Sequence, residues 1–273
     1  MNTHTLHVRE RFDGEAENWN AQYHPSTSGS IYAHNLLRRQ QQTQTLIDNT
    51  GGRLLDIGCG AGNVLLSVAS TTQFKPFGAD FSTNMLFQAR QNARHHHRSV
   101  PLLATDVCHL PFVSNSFDAI LCLGVLEYIP HYTQVLSECA RLLKPGGQFI
   151  VSVPNGTSPF IRFDDLMFAI KNIITRGFLP PSLRKWIKTR IFNREDKPYF
   201  NHQKQRFSPL VFGHQLKQAG FDIRNQCYHT YGFGILEGSI WNVRISKYIE
   251  NRTTHHPNME KLGWTYILKA VKQ

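Results

Sequence analysis

A short apolar run ends in closely spaced glycines at Leu54-Leu-Asp-Ile-Gly-Cys-Gly-Ala-Gly62. Gly58 and Gly60 can take a positive φ and let a ligand approach the main chain. A helix beginning after such a turn offers free N–H groups and the positive end of its dipole. Asp56 stands just before the turn, where a carboxylate can accept hydrogen bonds from a cationic ligand group or from the loop's own amides. The spacing is G-x-G-x-G with Asn63 following, so the G-x-G-x-x-G of dinucleotide sites is not met. Other residues able to do chemistry follow in order: Asp80 closing a second apolar run, Asp106, and Leu126-Glu-Tyr-Ile-Pro-His131, where Glu127, Tyr128 and His131 are candidate bases. An aspartate at a strand end can equally cap a helix or turn.

The elements that must position these residues alternate. Arg53 to Ile57, Lys75 to Asp80, Pro101 to Ala104, Phe117 to Leu123 and Gln148 to Val153 read as short buried strands. Between them lie helix-period stretches at 62–71, 82–95 and 131–143. Ser82 and Ser208 suit N-caps, the second followed by Pro209, and Gly146-Gly147 after Lys144-Pro145 suits a turn into the fifth strand. Strand and helix in alternation require a parallel sheet with right-handed crossovers, hence a doubly wound α/β domain whose ligands bind at the carboxyl ends of the strands. Ahead of it, Ala33 to Asn49 suits a helix anchored by Leu36, Leu37, Leu46 and Ile47. After it, residues 155–206 break the alternation, and then a helix from Ser208 to Ala219 and strands from Phe221 and Thr265 complete a mostly parallel seven-stranded sheet. The expected organisation is thus 1–50 an N-terminal helical segment, 51–154 the α/β core, 155–206 a helical insertion after the fifth strand and 207–273 the closing elements.

The glycine turn with its preceding aspartate resembles the first motif of the class I S-adenosylmethionine-dependent methyltransferases, over roughly residues 50–154 and more faintly 207–273. The resemblance implies a Rossmann-like fold, S-adenosyl-L-methionine as cofactor and S-adenosyl-L-homocysteine as product, with no metal. It implies that Asp56 and the turn residues Gly58, Cys59, Gly60 and Gly62 hold the cofactor. Asp80 would take both ribose hydroxyls, and Phe81 would pack on the adenine. Asp106 and Val107 would meet the adenine edge, with the methionine end resting at Leu123-Gly124. Many small-molecule members carry Glu-His where this chain has Glu127-Tyr128, which leaves the base open among Glu127, Tyr128 and His131. Asp118 begins a strand away from the ligand end and reads as structural. Phe12, Trp19, Tyr23 and Tyr32 flank the N-terminal segment, which in this family often forms a lid over the cofactor and would bring Tyr23 or Arg38 within reach of its carboxylate; ordinary packing explains those aromatics equally well.

Composition bounds the partners. The chain has 273 residues and a formal charge of +11, which favours acidic partners without naming one. Residues 155–206 hold eleven lysines and arginines against four acids, interleaved with aromatics. They can cap a hydrophobic small molecule, meet anionic lipid or nucleic acid, or face solvent. The cap is favoured, because an insertion after the fifth strand lies beside the methyl-acceptor pocket; nucleic acid is disfavoured, because the fourth strand's exit lacks the [Asp/Asn]-Pro-Pro-aromatic of base-amino methyltransferases. Five cysteines with no C-x-x-C pair suit buried thiols in a reducing compartment. The first fifteen residues lack a signal-peptide stretch and no apolar run approaches the ~20 residues of a membrane helix, so a cytoplasmic protein is expected. The His95-His96-His97 run has no acid or thiol at ligand spacing. The reading is methyl transfer to an oxygen or carbon of a small hydrophobic or anionic molecule. The alternative is an inactive protein of the same fold that binds anionic lipid or RNA. Neither oligomeric state nor acceptor is legible.

Overall fold

The computed structural model describes residues 3–23, 30–176, 205–236, 239–253 and 257–273. Its strands are β1 (Gly52–Ile57), β2 (Phe74–Asp80), β3 (Leu102–Ala104), β4 (Phe117–Leu123), β5 (Leu143–Pro154), β6 (Phe221–His229) and β7 (Thr265–Lys272). They form one sheet of order β3-β2-β1-β4-β5-β7-β6. β1 to β5 run parallel, and β7 lies antiparallel to both β5 and β6. The order reverses between β1 and β4, so a crevice opens at their carboxyl ends.

The helices are α1 (Thr3–Ala21), α2 (Ile31–Leu46), α3 (Asn63–Thr71), α4 (Thr83–His95), α5 (Tyr132–Leu142), α6 (Pro159–Arg176), α7 (Pro209–Gln218), α8 (Ile240–Thr253) and α9 (Pro257–Glu260). Strand alternation feeds two cores. In β4, Ile120 and Cys122 join Leu55, Phe149 and Val151 beneath α5 and α7. Ala119, Leu121 and Leu123 face the opposite side with Leu54, Ile150, and Leu65 and Val68 of α3. Both faces are therefore buried, as a parallel sheet requires.

Expected and observed elements agree closely through the core, and the differences have physical reasons. Ser82 caps α4 through its side chain, which accepts from Met85 N. Ser208 stands before α7, but its side chain makes no capping bond. Gly146-Gly147 does not end the turn before β5; it bulges within a longer strand, where Phe117 pairs with Leu143 and Ala119 with Gln148. Asp118 accepts from Arg53 N at 2.8 Å and Lys144 Nζ at 2.6 Å, at the far end of the sheet from the crevice. Between β6 and β7 the chain builds α8 and α9; the sequence shows no clean helical period here, because apolar residues of α8 face outward, as Trp241 and Ile245 do, as well as inward, as Val243 does. Of the insertion, α6 is described to Arg176; the charged residues at 184–204 lie outside the described residues.

Candidate active site

A cleft of about 260 Å³ occupies the switch point between β1 and β4. Its floor is the turn after β1. Gly58 has φ 69°, and a Cβ on it would come within 2.4 Å of Val125 Cγ2, so the turn and the β4 exit touch because this residue has no side chain. Gly58 N and Cys59 N both donate to Ala79 O, which locks the turn onto β2. Gly60 N donates to Asp80 Oδ2 at 2.8 Å, while Ser82 N donates to Asp80 Oδ1 at 2.9 Å. Each oxygen of Asp80 thus retains lone-pair capacity toward the cleft. Burial pushes the Asp80 carboxyl up to about 6, with the amides of Ser82, Gly60 and Phe81 working against the shift.

Asp56 behaves differently. It is 3% exposed, lines the cleft, and accepts no hydrogen bond among the described residues. Burial first, and Asp80 second, push its carboxyl up to about 8, with the positive charge of Arg39 opposing them. Lining the cleft, this carboxyl keeps its acceptor capacity for a donor that a ligand brings.

Among the residues proposed from sequence, Asp56, Gly58, Cys59, Gly60, Asp80 and Phe81 line the cleft, as do Asp106, Val107, Leu123 and Gly124. Tyr128 and His131 line it as well. Two do not. Gly62 opens α3 and packs on α4, where its Cβ would lie 3.3 Å from Ala89 Cβ. Glu127 is buried away from the cleft wall, with its Oε1 near Gly124 and its Oε2 without a hydrogen-bond partner. Burial pushes its carboxyl up to about 7 against the pull of Arg39 and Arg206.

Arg39 is the residue that sequence reasoning missed. Its Nη1 lies over Gly124, 2.1 Å from where a Cβ would sit, and its Nη2 donates to Tyr23 Oη at 3.3 Å. Its Nε is buried without a partner. Burial opposes its charge, but Tyr23, Tyr32 and Glu127 outweigh that and hold the guanidinium above its ordinary value. Arg38, expected beside Tyr23, points the other way and pairs with Glu250 of α8 at 3.1 Å. The spacing held a usable signal: Arg39 follows the buried Leu36 by three residues, the helical neighbour distance, whereas Arg38 follows by two. Met85, Cys108 and Gln134 also line the cleft, and no sequence signal marks them.

α1 roofs the cleft. Phe12 stands edge-on to Trp19, Phe81 and Tyr128 at centroid distances of 5.6, 6.3 and 5.3 Å, and Trp19 meets Tyr32 at 5.9 Å. Asp13 latches this helix to the start of α4, accepting from Ser82 Oγ at 2.6 Å and Asn84 N at 3.2 Å. Asn20 adds bonds to Asn63 and Asn92. Among the described residues no group of three or more His, Cys, Asp or Glu is placed to hold a metal ion, and no helix is long and apolar enough to cross a membrane. The five cysteines form no disulfide.

A floor of exposed main chain, two carboxyls of different hydrogen-bonding state, a buried guanidinium and an aromatic roof suit a nucleoside that carries an amino-acid end. Comparisons with known proteins agree with that chemistry. Residues 55–151 match the family described as Methyltransferase domain. The chain is 32% identical over 223 residues to a demethylmenaquinone methyltransferase of Symbiobacterium thermophilum, covering 79% of this chain and 84% of that protein. It is 33% identical over 135 residues to methyltransferase GfsG of Streptomyces halstedii, covering 48% of this chain and 47% of that protein, so the matched stretch spans about half the length of GfsG. A solved SAM-dependent methyltransferase of Thermotoga maritima superposes with a TM-score of 0.57 at 18% identity, over 98% of this chain and 99% of that one, which shows a shared fold.

Proposed function

The chain belongs to the class I S-adenosylmethionine-dependent methyltransferases of small-molecule type, and from that premise we propose that it methylates an oxygen or carbon atom of a small, hydrophobic acceptor. The observation that carries the site assignment is Asp56, a buried carboxyl at the cleft floor with no donor of its own, beside a glycine turn and Asp80. S-adenosylmethionine, when bound, supplies a methyl group on a sulfonium whose departure needs no further activation.

The residues divide the work by chemistry. Asp80 accepts from the ribose hydroxyls, Phe81 covers the adenine face, and Asp106 with the Val107 amide meets the adenine edge. Asp56 takes the cationic amino end, and Arg39 with Tyr23 takes the carboxylate. Glu127, whose charge favours the guanidinium of Arg39 near Gly124, is a positioning residue. Phe12, Trp19 and Tyr128 exclude water above the reacting centre. In-line methyl transfer asks the protein chiefly for alignment, an effect that can supply several kcal/mol or more. A hydroxyl acceptor must also lose a proton, and His131 and Tyr128 are the cleft-lining groups near the β4 exit able to receive it.

The hydrophobic acceptor is supported by the apolar character of Phe12, Val125, Ile129 and Pro130 in the cleft wall. The name of the demethylmenaquinone methyltransferase relative agrees with such an acceptor. The test is incubation with a metabolite extract and isotopically labelled S-adenosylmethionine, read by mass spectrometry. A labelled lipophilic product absent with Asp80→Ala is expected. Binding of S-adenosylhomocysteine without any labelled product would instead support a binding protein.

A further inference from the structure

α8 carries a feature that methyl transfer does not use. Its inward residues Asn242, Val243, Ser246 and Thr253 are buried, and its outward side carries four large apolar side chains. Trp241 is 69% exposed, Tyr248 61%, Ile240 58% and Ile245 49%. A folded chain seldom leaves such large apolar side chains together in water without a partner for them.

The charges of the helix are sorted as well. Its only acid, Glu250, is turned inward, bound by His34 Nε2 at 3.0 Å and Arg38 Nε at 3.1 Å, and it also accepts from Thr230 N at 3.1 Å. The charges left facing outward are all positive: Arg244, Lys247 and Arg252. Arg244 lies over the Trp241 ring at 5.2 Å and Arg252 over the Tyr248 ring at 5.3 Å, so cation and aromatic alternate along the stripe.

Topology fixes where this stripe sits. β5 and β6 run in the same direction, each antiparallel to β7, and Pro154 and His229 both pair with Thr265. The segment after β6 therefore emerges at the carboxyl-end rim, where the cleft opens. The inner face of α8 packs against α2, the helix that presents Arg39 to the cleft, with Val243 joining Ile31 in one cluster.

We propose that the outward face of α8 is a docking surface for an anionic lipid bilayer, on which Trp241, Ile245 and Tyr248 enter the headgroup region while Arg244, Lys247 and Arg252 meet lipid phosphates. Aromatic rings favour that interfacial depth, an amphipathic helix with a cationic polar face lies in that plane, and each basic side chain near the surface adds to the attraction. An apolar acceptor resides in such a membrane, and the segment leading to α8 leaves the sheet on the side where the cleft opens. The surface is independent of which atom is methylated.

The test is flotation of the full chain with phosphatidylcholine vesicles containing phosphatidylglycerol, against vesicles of phosphatidylcholine alone. Binding to the anionic vesicles that weakens in high salt is expected, with a blue shift of tryptophan emission. Trp241→Ser/Tyr248→Ser is expected to abolish flotation, and Arg244→Ala/Lys247→Ala to lower the partition about tenfold or more. Trp241→Phe is expected to keep flotation and lose the blue shift. These side chains are exposed, so circular dichroism and melting temperature should match the native protein. The proposal is overturned if the native chain does not float, or if the variants float as it does. It is equally overturned by a concentration-dependent dimer that Trp241→Ser dissolves, or by retention on homopolymeric RNA in place of vesicles.

Discussion

Cofactor affinity should depend on pH through Asp56. Its carboxyl titrates near pH 8 in the free protein because burial disfavours the charge. A ligand that brings a cationic amino group beside it selects the carboxylate, so below that pH the protein must first release a proton. One pKa unit corresponds to about 1.4 kcal/mol, so each pH unit below about 8 lowers affinity by up to about tenfold. Between about pH 8.5 and about pH 6 the loss is on the order of fifty- to a hundredfold. Titration calorimetry with S-adenosylhomocysteine across that range reads the slope directly. Asp56→Asn should bind weakly throughout and flatten it. Stability of the free protein runs the other way. The folded carboxyl titrates well above its unfolded value, so its contribution is fully present below about pH 4 and is lost as pH rises through about 8, by roughly 6 kcal/mol at most. The melting temperature of the free protein should fall across that window more than that of Asp56→Asn. A flat affinity from about pH 6 to about pH 8.5, or melting profiles of native and variant that superpose, would refute the reasoning.

The remaining expectations concern the turn, the roof and the acceptor end. Gly58→Ala meets both a left-handed backbone and a Val125 methyl at 2.4 Å, so chemical denaturation should show a loss of about 2–4 kcal/mol, whereas Gly146→Ala, with φ 76° and nothing within 4 Å, should lose only about 1–2 kcal/mol. Asp13→Ala removes the carboxylate that joins α1 to the start of α4, and should cost about 1 kcal/mol, raise amide exchange in α1, and raise KM for S-adenosylmethionine. His131→Gln and Tyr128→Phe separate the two candidate proton acceptors: the variant that removes the acidic limb of the kcat profile identifies the base, and unchanged profiles in both would point to an acceptor that needs none.

The sequence by itself determined the frame of the site. The positions of Asp56, Gly58, Gly60 and Asp80 follow from local rules: strands bury alternate residues, a turn after β1 needs residues without a Cβ, and a parallel sheet gathers strand ends at one edge. These rules act over a few residues at a time, so the segment around each motif carries them whole. Tertiary structure decided the rest. Whether Arg38 or Arg39 enters the cleft turns on a rotation of about 100° around α2, which is set by how that helix packs on the sheet and on α8. Glu127 stands where a base was sought, yet it lies off the cleft wall near Gly124, where the Arg39 guanidinium, from a helix some ninety residues earlier, also comes to lie. Gly62 matches the motif but serves the contact of α3 with Ala89. Each of these outcomes depends on groups far apart in the chain meeting at one place, and burial there sets both their charge and their partners.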